Sequence, residues 1–442
     1  MQTSLETIGA LERRLNVAVP RAAIENEVAK RLAKLARNVK VAGFRPGKVP
    51  LKMVAQQYGP QVRSDVISDT VQATLTDAIR DQNLRLAGTP RIEPKAGDAT
   101  SGDGPADDQF EFTAVFEVYP EIQIGDLTQV TITRPVAEVG PTDVDDTIEV
   151  LRRQRTNFSP AARPAAEGDR VIVDFSGRID GVEFAGGQAK DFAILVGEGR
   201  MLPEFEAAVT GMQAGETRDF PMTFPADYHG KDVAGKTAEF TLTVKSVSAA
   251  ELPALDADFA RAFGVPSGSL DDLREEITTN LKLELRRKID TKVKEQALDA
   301  LRKSTEVAVP RSLAAREAEN MAQRMAADLQ QQGMKPADIN LTPDMFRANA
   351  EERVALSLIV AEVVRMHGLQ AKPDQVKALV LDAAQTYEQP DAVVRWHYEK
   401  PERLNDFEGL AVERNVVDWV CSQARVQDVA VAFGELMTPA RS

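Results

Sequence analysis

The chain has 442 residues, 43% of them apolar, which is enough for about three domains and for a buried core in each. Its formal charge of −14 argues against a general nucleic-acid coat. One cysteine, Cys421, and three histidines, His229, His367 and His397, exclude an intrachain disulfide framework and argue against a Cys/His zinc site or an iron–sulfur cluster.

Residues 1–20 lack the basic start and the apolar core of a secretory signal, and no apolar run reaches the roughly 18 residues of a membrane span. The expectation is a soluble, cytoplasmic protein with no membrane partner. Residues 11–19 (LERRLNVAV) read as a strand, and Pro20 opens a helical pattern that runs to Ala42. A Gly/Pro-rich loop follows, and helices resume from about Pro50 to Asn83. Residues 97–108 form a solvated loop, expected to be a hairpin tip because residues 110–118 alternate as a half-buried strand does.

Residues 119–156 read as a connecting segment, with a strand at Val130–Thr133 and a short helix after Pro141. From Glu167 to Val247 the pattern is strand-rich. Asp180-Gly181 is a hairpin turn signal, and Ala238, Phe240, Leu242 and Val244 alternate near the end. One short helix, Pro203 to Val209, is closed by Gly211.

The last third reads as helix. Ser269 caps a long run with Asp272 at the capping-box position, and Leu273, Ile277, Leu281, Leu285, Ile289 and Val293 recur on one stripe. Further helices start near Pro310, Pro343, Pro373 and Pro401. The predicted fold class is a multidomain α+β protein: an α+β domain (1–118), the connecting segment (119–156), an antiparallel sheet with one helix (157–250) and an all-helical body (251–442).

Between Val28 and Ser64 lie nine basic residues (Lys30, Arg31, Lys34, Arg37, Lys40, Arg45, Lys48, Lys52, Arg63) and no acidic one, which leaves −23 for the rest of the chain. On a helix, Ile24, Val28, Leu32, Leu35 and Val39 share an arc of about 80°, with Lys30, Lys34 and Arg37 opposite. A charge run alone is usually a solvated face. Here it leads into Gly43-Phe44-Arg45-Pro46-Gly47-Lys48-Val49-Pro50, a rigid turn that holds an apolar ring between cations, as suits structured RNA with its protein coat. This octet resembles the ribosome-docking signature of the trigger factor family of bacterial chaperones, matching at Gly43, Phe44, Arg45, Lys48 and Pro50. The resemblance extends over the whole chain. It implies that Phe44, Arg45 and Lys48 bind the large ribosomal subunit, protein and rRNA, near the tunnel exit. It also implies that unfolded or nascent polypeptides are partners, and it leaves open a homodimer when free.

Of 24 aromatic residues, eight lie between Phe175 and Phe240 (Phe175, Phe184, Phe192, Phe205, Phe220, Phe224, Tyr228, Phe240), with Phe158 just before. An aromatic core is the simplest account. The segment has no cysteine and only His229, so nucleophilic chemistry is a poor fit. Rotation about an X–Pro bond needs an apolar pocket and almost no polar groups. Its barrier of ~18–20 kcal/mol comes from amide resonance, and a dry pocket disfavours the polar planar amide more than the twisted one. No cofactor or metal is required.

The stretch also resembles an FKBP-type prolyl isomerase, through Val171–Gly177, Asp180–Phe184, Phe192, Gly197–Phe205 and Phe224–Tyr228. The resemblance implies a pocket of Phe175, Phe184, Phe192, Met201, Leu202, Phe205, Tyr228 and Phe240, with the Tyr228 hydroxyl available to substrate. Ala185, where single-domain members carry an aspartate, and Phe205, in place of a bulkier indole, weigh against macrolide inhibitors.

In the helical body, Met321, Met325, Met334, Met345 and Met366 read first as core filling, but the family resemblance favours a client-binding surface. His367 reads as a helix-end residue, His397 as surface packing and Cys421 as a buried, inert thiol. The function expected is a ribosome-associated chaperone that keeps nascent chains folding-competent and isomerises X–Pro bonds. The competing reading is a chaperone or interaction protein whose FKBP-like module is catalytically silent.

Overall fold

The computed structural model describes residues 2–39, 44, 49–82, 84–94, 109–228, 230, 232–335, 340–385, 387 and 389–438. Two compact units emerge, one from 1–134 with 291–428 and one from 135–290 with 429–442.

The first unit begins with β1 (Gln2–Thr7), β2 (Glu12–Pro20), α1 (Arg21–Asn38), α2 (Leu51–Asp81), β3 (Leu86–Pro94) and β4 (Gln109–Val118). The strands form an antiparallel sheet in the order β1-β2-β4-β3. Alternation buries Leu15, Val17 and Val19 of β2 and Phe110, Phe112, Ala114 and Phe116 of β4 on one face, against Ile24, Val28 and Leu32 of α1 and Val54, Val66 and Leu75 of α2. The basic helix stops at Asn38, with Val39 extended, short of the expected Ala42; Lys40 to Gly43 and the loop 97–108 lie outside the described residues. β3 and β4 do pair antiparallel across that loop.

After β5 (Thr131–Val136) the chain enters the second unit: α3 (Pro141–Gln154), β6 (Asn157–Pro160), β7 (Arg170–Ile179), β8 (Val182–Leu195), α4 (Pro203–Val209), β9 (Thr217–Thr223), β10 (Thr237–Glu251), α5 (Ala257–Ala262) and the start of α6 (Leu270–Ser304). Five strands make an antiparallel sheet, β6-β10-β7-β8, with β9 also paired to β10. The β7–β8 turn has Asp180 at φ 51° and Gly181 at φ 78°, as a two-residue hairpin turn of right-handed strands requires. The α4 helix buries Phe205, Ala208 and Val209. Asp169, 2% exposed, is held by Arg163 at 2.6 and 2.9 Å and by the Ala166 N–H at 2.9 Å. Burial opposes its ionisation, but these bonds outweigh burial and hold the carboxyl below the usual carboxylate range.

The body of the first unit continues through α7 (Arg311–Gln331), α8 (Arg347–His367), α9 (Pro373–Ala384), α10 (Pro390–Tyr398) and α11 (Asn405–Gln423). β11 (Arg425–Ala430) and α12 (Phe433–Met437) close the chain. At the start of α6, the Asp272 N–H donates to Ser269 Oγ at 3.1 Å, while the Asp272 carboxylate accepts from Ser267 instead of completing the box. The core of the body joins Leu127 and Ile132 to Ala297, Leu301, Ile359, Val363, Val416 and Val420. α7 packs on α8, and the residues it buries are Ala314, Ala318 and Ala322, one per turn, a thin seam of small side chains. β11 pairs with β5. Its residues are all exposed, so apolar periodicity offered no signal for a strand there.

A carboxylate ties β4 to α7. Glu117 accepts the N–H groups of Arg311 (2.9 Å) and Ser312 (2.8 Å), satisfying donors that a helix start leaves open. The Ser312 hydroxyl lies 2.6 Å from that carboxylate and 2.8 Å from the Ala87 carbonyl, its single proton serving both acceptors. Gly88, at φ 92°, allows the approach, because a Cβ there would meet Ser312 Oγ at 2.6 Å. Among the described residues no helix is long and apolar enough to cross a membrane.

Candidate functional site

The strand registers of the second unit gather the aromatic residues. Phe240 of β10 sits opposite Phe220 of β9 on one side and Gly177 of β7 on the other. The phenyl rings of Phe240 and Phe220 stack at 5.9 Å and 22°. Gly177 makes room for this, since a Cβ there would lie 2.6 Å from the Phe240 ring. Gly187 of β8 does the same for Phe184, whose ring would be 2.8 Å from an added Cβ.

Phe240 is the hub. It contacts Phe175 (6.1 Å), Phe184 (6.1 Å), Phe205 (5.9 Å), Phe220 and Phe224 (6.5 Å), mostly edge-to-face or tilted, the arrangements that ring quadrupoles favour. Phe205 of α4 underlies Phe175 at 5.2 Å and 82°. Tyr228 meets Phe224 at 4.9 Å. Burial is graded across the cluster. Phe205 and Phe240 are buried at 1% and 4%; Phe175, Phe184, Met201, Leu202 and Tyr228 are half-buried; Phe192 is 39% exposed at the rim. All eight residues expected from the sequence therefore lie in one cluster with a dry floor and an open edge.

Phe220 and Phe224 belong to the same cluster but were not among those eight. Their signal was present, because Phe220, Met222 and Phe224 alternate and all point inward along β9 and just past it.

The rim ring is set by a bulge. Between the pairs Val173–Phe192 and Phe175–Ala189, β8 carries one extra residue, with Asp191 at φ 53°. Asp174 holds it, accepting the Asp191 N–H at 2.7 Å and Lys245 Nζ at 3.1 Å, while Lys245 also pairs with Asp191 at 2.5 Å. The Asp191 N–H first, and Lys245 after it, hold the Asp174 carboxyl below the usual range. Phe192 thereby meets Phe175 edge-on at 5.7 Å. His229 lies outside the described residues, and among those described no group of three or more His, Cys, Asp or Glu side chains could hold a metal ion.

At the basic helix, Phe44 is exposed at 38%, and Leu51 and Met53 at the start of α2 are exposed at 50% and 42%. Arg45 and Lys48 lie outside the described residues.

The body shows Met325, Met334, Met345 and Met366 exposed, with Met321 half-buried. Core filling was the reading from residue type alone; these four side chains instead face solvent. His367 stacks on Trp419 at 4.5 Å in the last turn of α8. His397 packs edge-on against Trp396 and Phe407. Cys421 is half-buried rather than fully buried, and burial first, then Asp418, push its thiol up and away from reactivity.

Comparison with known proteins gives three matches along the chain. Residues 1–151 match the family model of bacterial trigger factor protein, and residues 269–422 match that of its C-terminus. Residues 161–245 match FKBP-type peptidyl-prolyl cis-trans isomerase. The chain is 50% identical over 437 residues to the trigger factor of Aromatoleum aromaticum, covering 99% of each. It is 49% identical over 438 residues to that of Laribacter hongkongensis, again with 99% of each covered. A solved structure, from work on promiscuous substrate recognition by the trigger factor chaperone, aligns over 95% of this chain and 99% of that one, at 17% identity and a TM-score of 0.46.

Proposed function

The chain belongs to the bacterial trigger factor family, and from that premise we propose that it is a cytoplasmic, ribosome-associated chaperone that also isomerises X–Pro bonds. Residues 1–118 dock on the large subunit near the tunnel exit through Phe44, Arg45 and Lys48. Residues 157–250 are the isomerase domain. Residues 251–442, with the connecting segment 119–156, hold nascent or unfolded chains, and the free protein can pair as a homodimer.

The observation that carries the isomerase reading is the graded burial around Phe240: five ring neighbours, a floor of Phe205 and Phe240, and Phe192 open to solvent. A prolyl ring seated on that floor leaves its imide bond among apolar walls. The planar imide is the more polar form, so the dry site lowers the barrier by disfavouring it relative to the twisted state. Met201 and Leu202 supply aliphatic wall, and the Tyr228 hydroxyl donates to a substrate carbonyl. No proton is transferred to or from carbon, nitrogen or oxygen of the peptide, which fits a lining of eight residues whose one polar side-chain group is the Tyr228 hydroxyl.

The test is cis-to-trans relaxation of a short X-Pro peptide. Wild type accelerates it, and Phe192→Ala, at the exposed rim, slows it with an unchanged melting temperature. No acceleration by wild type leaves the module as a binding domain. The docking assignment is tested by co-sedimentation with ribosomes: replacing Phe44, Arg45 and Lys48 by Ala abolishes it without changing peptide isomerisation.

A further inference from the structure

The nine cations of the basic segment are not equivalent once α1 and α2 pack. Arg31 pairs with Asp69 at 2.6 Å and approaches Glu27 at 3.9 Å. Lys30 pairs with Glu27 at 3.4 Å, and Arg63 pairs with Glu25. These three acids all lie outside the segment between Val28 and Ser64, so a linear charge count misses them. Lys34, Arg37 and Lys52 have no acidic partner among the described residues, and none at the i±3 or i±4 helical positions.

Their placement adds a second observation. Lys34 and Arg37 share a face in the last turns of α1, and Lys52 lies in the first turn of α2. These are the two helix ends that flank the segment carrying Phe44. The N-terminal turn of a helix disfavours a cation, yet the first turn of α2 holds Lys52 and no acidic residue. Packing of the two helices gives no reason for that charge.

We propose that Lys34, Arg37 and Lys52 contact RNA phosphates, whereas Lys30, Arg31 and Arg63 are internal ion-pair residues that join α1 to itself and to α2. The inference rests on the ribosome-docking reading above and extends it beyond the loop. Exposed cations on long stems suit phosphate contacts, which position a protein on RNA and make affinity salt-dependent.

The measurement is ribosome co-sedimentation of the full chain across a salt series. Each phosphate contact contributes a slope of roughly 0.7–0.9 in log K against log salt. The variant Lys34→Gln/Arg37→Gln/Lys52→Gln is expected to reduce the slope by roughly 2 to 3 with an unchanged melting temperature. The variant Lys30→Gln/Arg31→Gln/Arg63→Gln keeps the slope and melts earlier. An unchanged slope in the first variant, or an equal loss in both, overturns the assignment. Failure of wild type to co-sediment even at low salt overturns the docking reading and this assignment with it, while wild-type binding with the wrong variant pattern overturns the assignment alone.

Discussion

The β-sheet of the second unit and the α7–α8 seam of the body are two opposite ways to fill space. The sheet closes over large rings: Phe240 has five aromatic neighbours, and Gly177 and Gly187 give up their side chains so that the rings fit. The seam closes over Ala314, Ala318 and Ala322, and the nearby methionines Met325, Met334 and Met345 are left exposed. Interlocking rings have few alternative packings, so they define a fixed shape. A seam of methyl groups holds little area, and exposed thioethers adapt to many shapes. On the function proposed above, the difference divides the work: one region is shaped for one bond, the other suits partners with no common shape.

The largest test of that contrast is deletion of side chains. Phe240→Ala is expected to cost about 3–5 kcal/mol in chemical denaturation, whereas Ala318→Gly in the seam costs about 1 kcal/mol. Similar losses at the two sites would break the comparison. The next test is acid. Because the folded-state pKa of Asp169 is depressed, its contribution is fully present above the ordinary carboxylate range and is lost as pH falls through the folded value. Thermal melts of wild type should therefore fall on acidification below about pH 4, and Asp169→Asn should flatten that part of the profile.

Gly177→Ala sharpens the ring side. A Cβ inside the Phe240 ring contact is expected to cost about 1–3 kcal/mol by overpacking and to slow peptide isomerisation, read by melts and by relaxation rates. The smallest effect on stability belongs to Met345→Ser and Met366→Ser, within about 0.5 kcal/mol each, because both side chains are exposed. Their effect should appear instead as weaker suppression of aggregation of an unfolded client. Unchanged suppression would remove the adaptable half of the comparison.

Much of this was legible from sequence where periodicity was strong. The α4 helix, the Asp180-Gly181 turn and the inward rings of β7 and β10 follow from pattern and turn chemistry. β1 and β11 were missed for a shared reason: QTSLET offers one large apolar residue and RVQDVA is wholly exposed, so pairing partners, and not burial, make them strands. The sequence also overstated the basic patch. Asp69 and Glu25 meet Arg31 and Arg63 only because α1 and α2 pack, a contact no window of sequence displays, whereas Glu27 reaches Lys30 and Arg31 within α1 from just outside the counted segment. The steric use of Gly177 and Gly187 becomes visible only with the rings beside them.

The Glu117 cap has a consequence for the order in which the protein is made. The carboxylate and the Ser312 amide it serves are 195 residues apart, and the strand β11 that pairs with β5 comes later still. A chain emerging from its N-terminus completes the first sheet while Glu117 still faces water. The intervening ring-packed sheet is synthesised whole before any of α7 exists. When residue 312 arrives the first sheet acquires this tie to α7, so a helix translated after both sheets fastens the first.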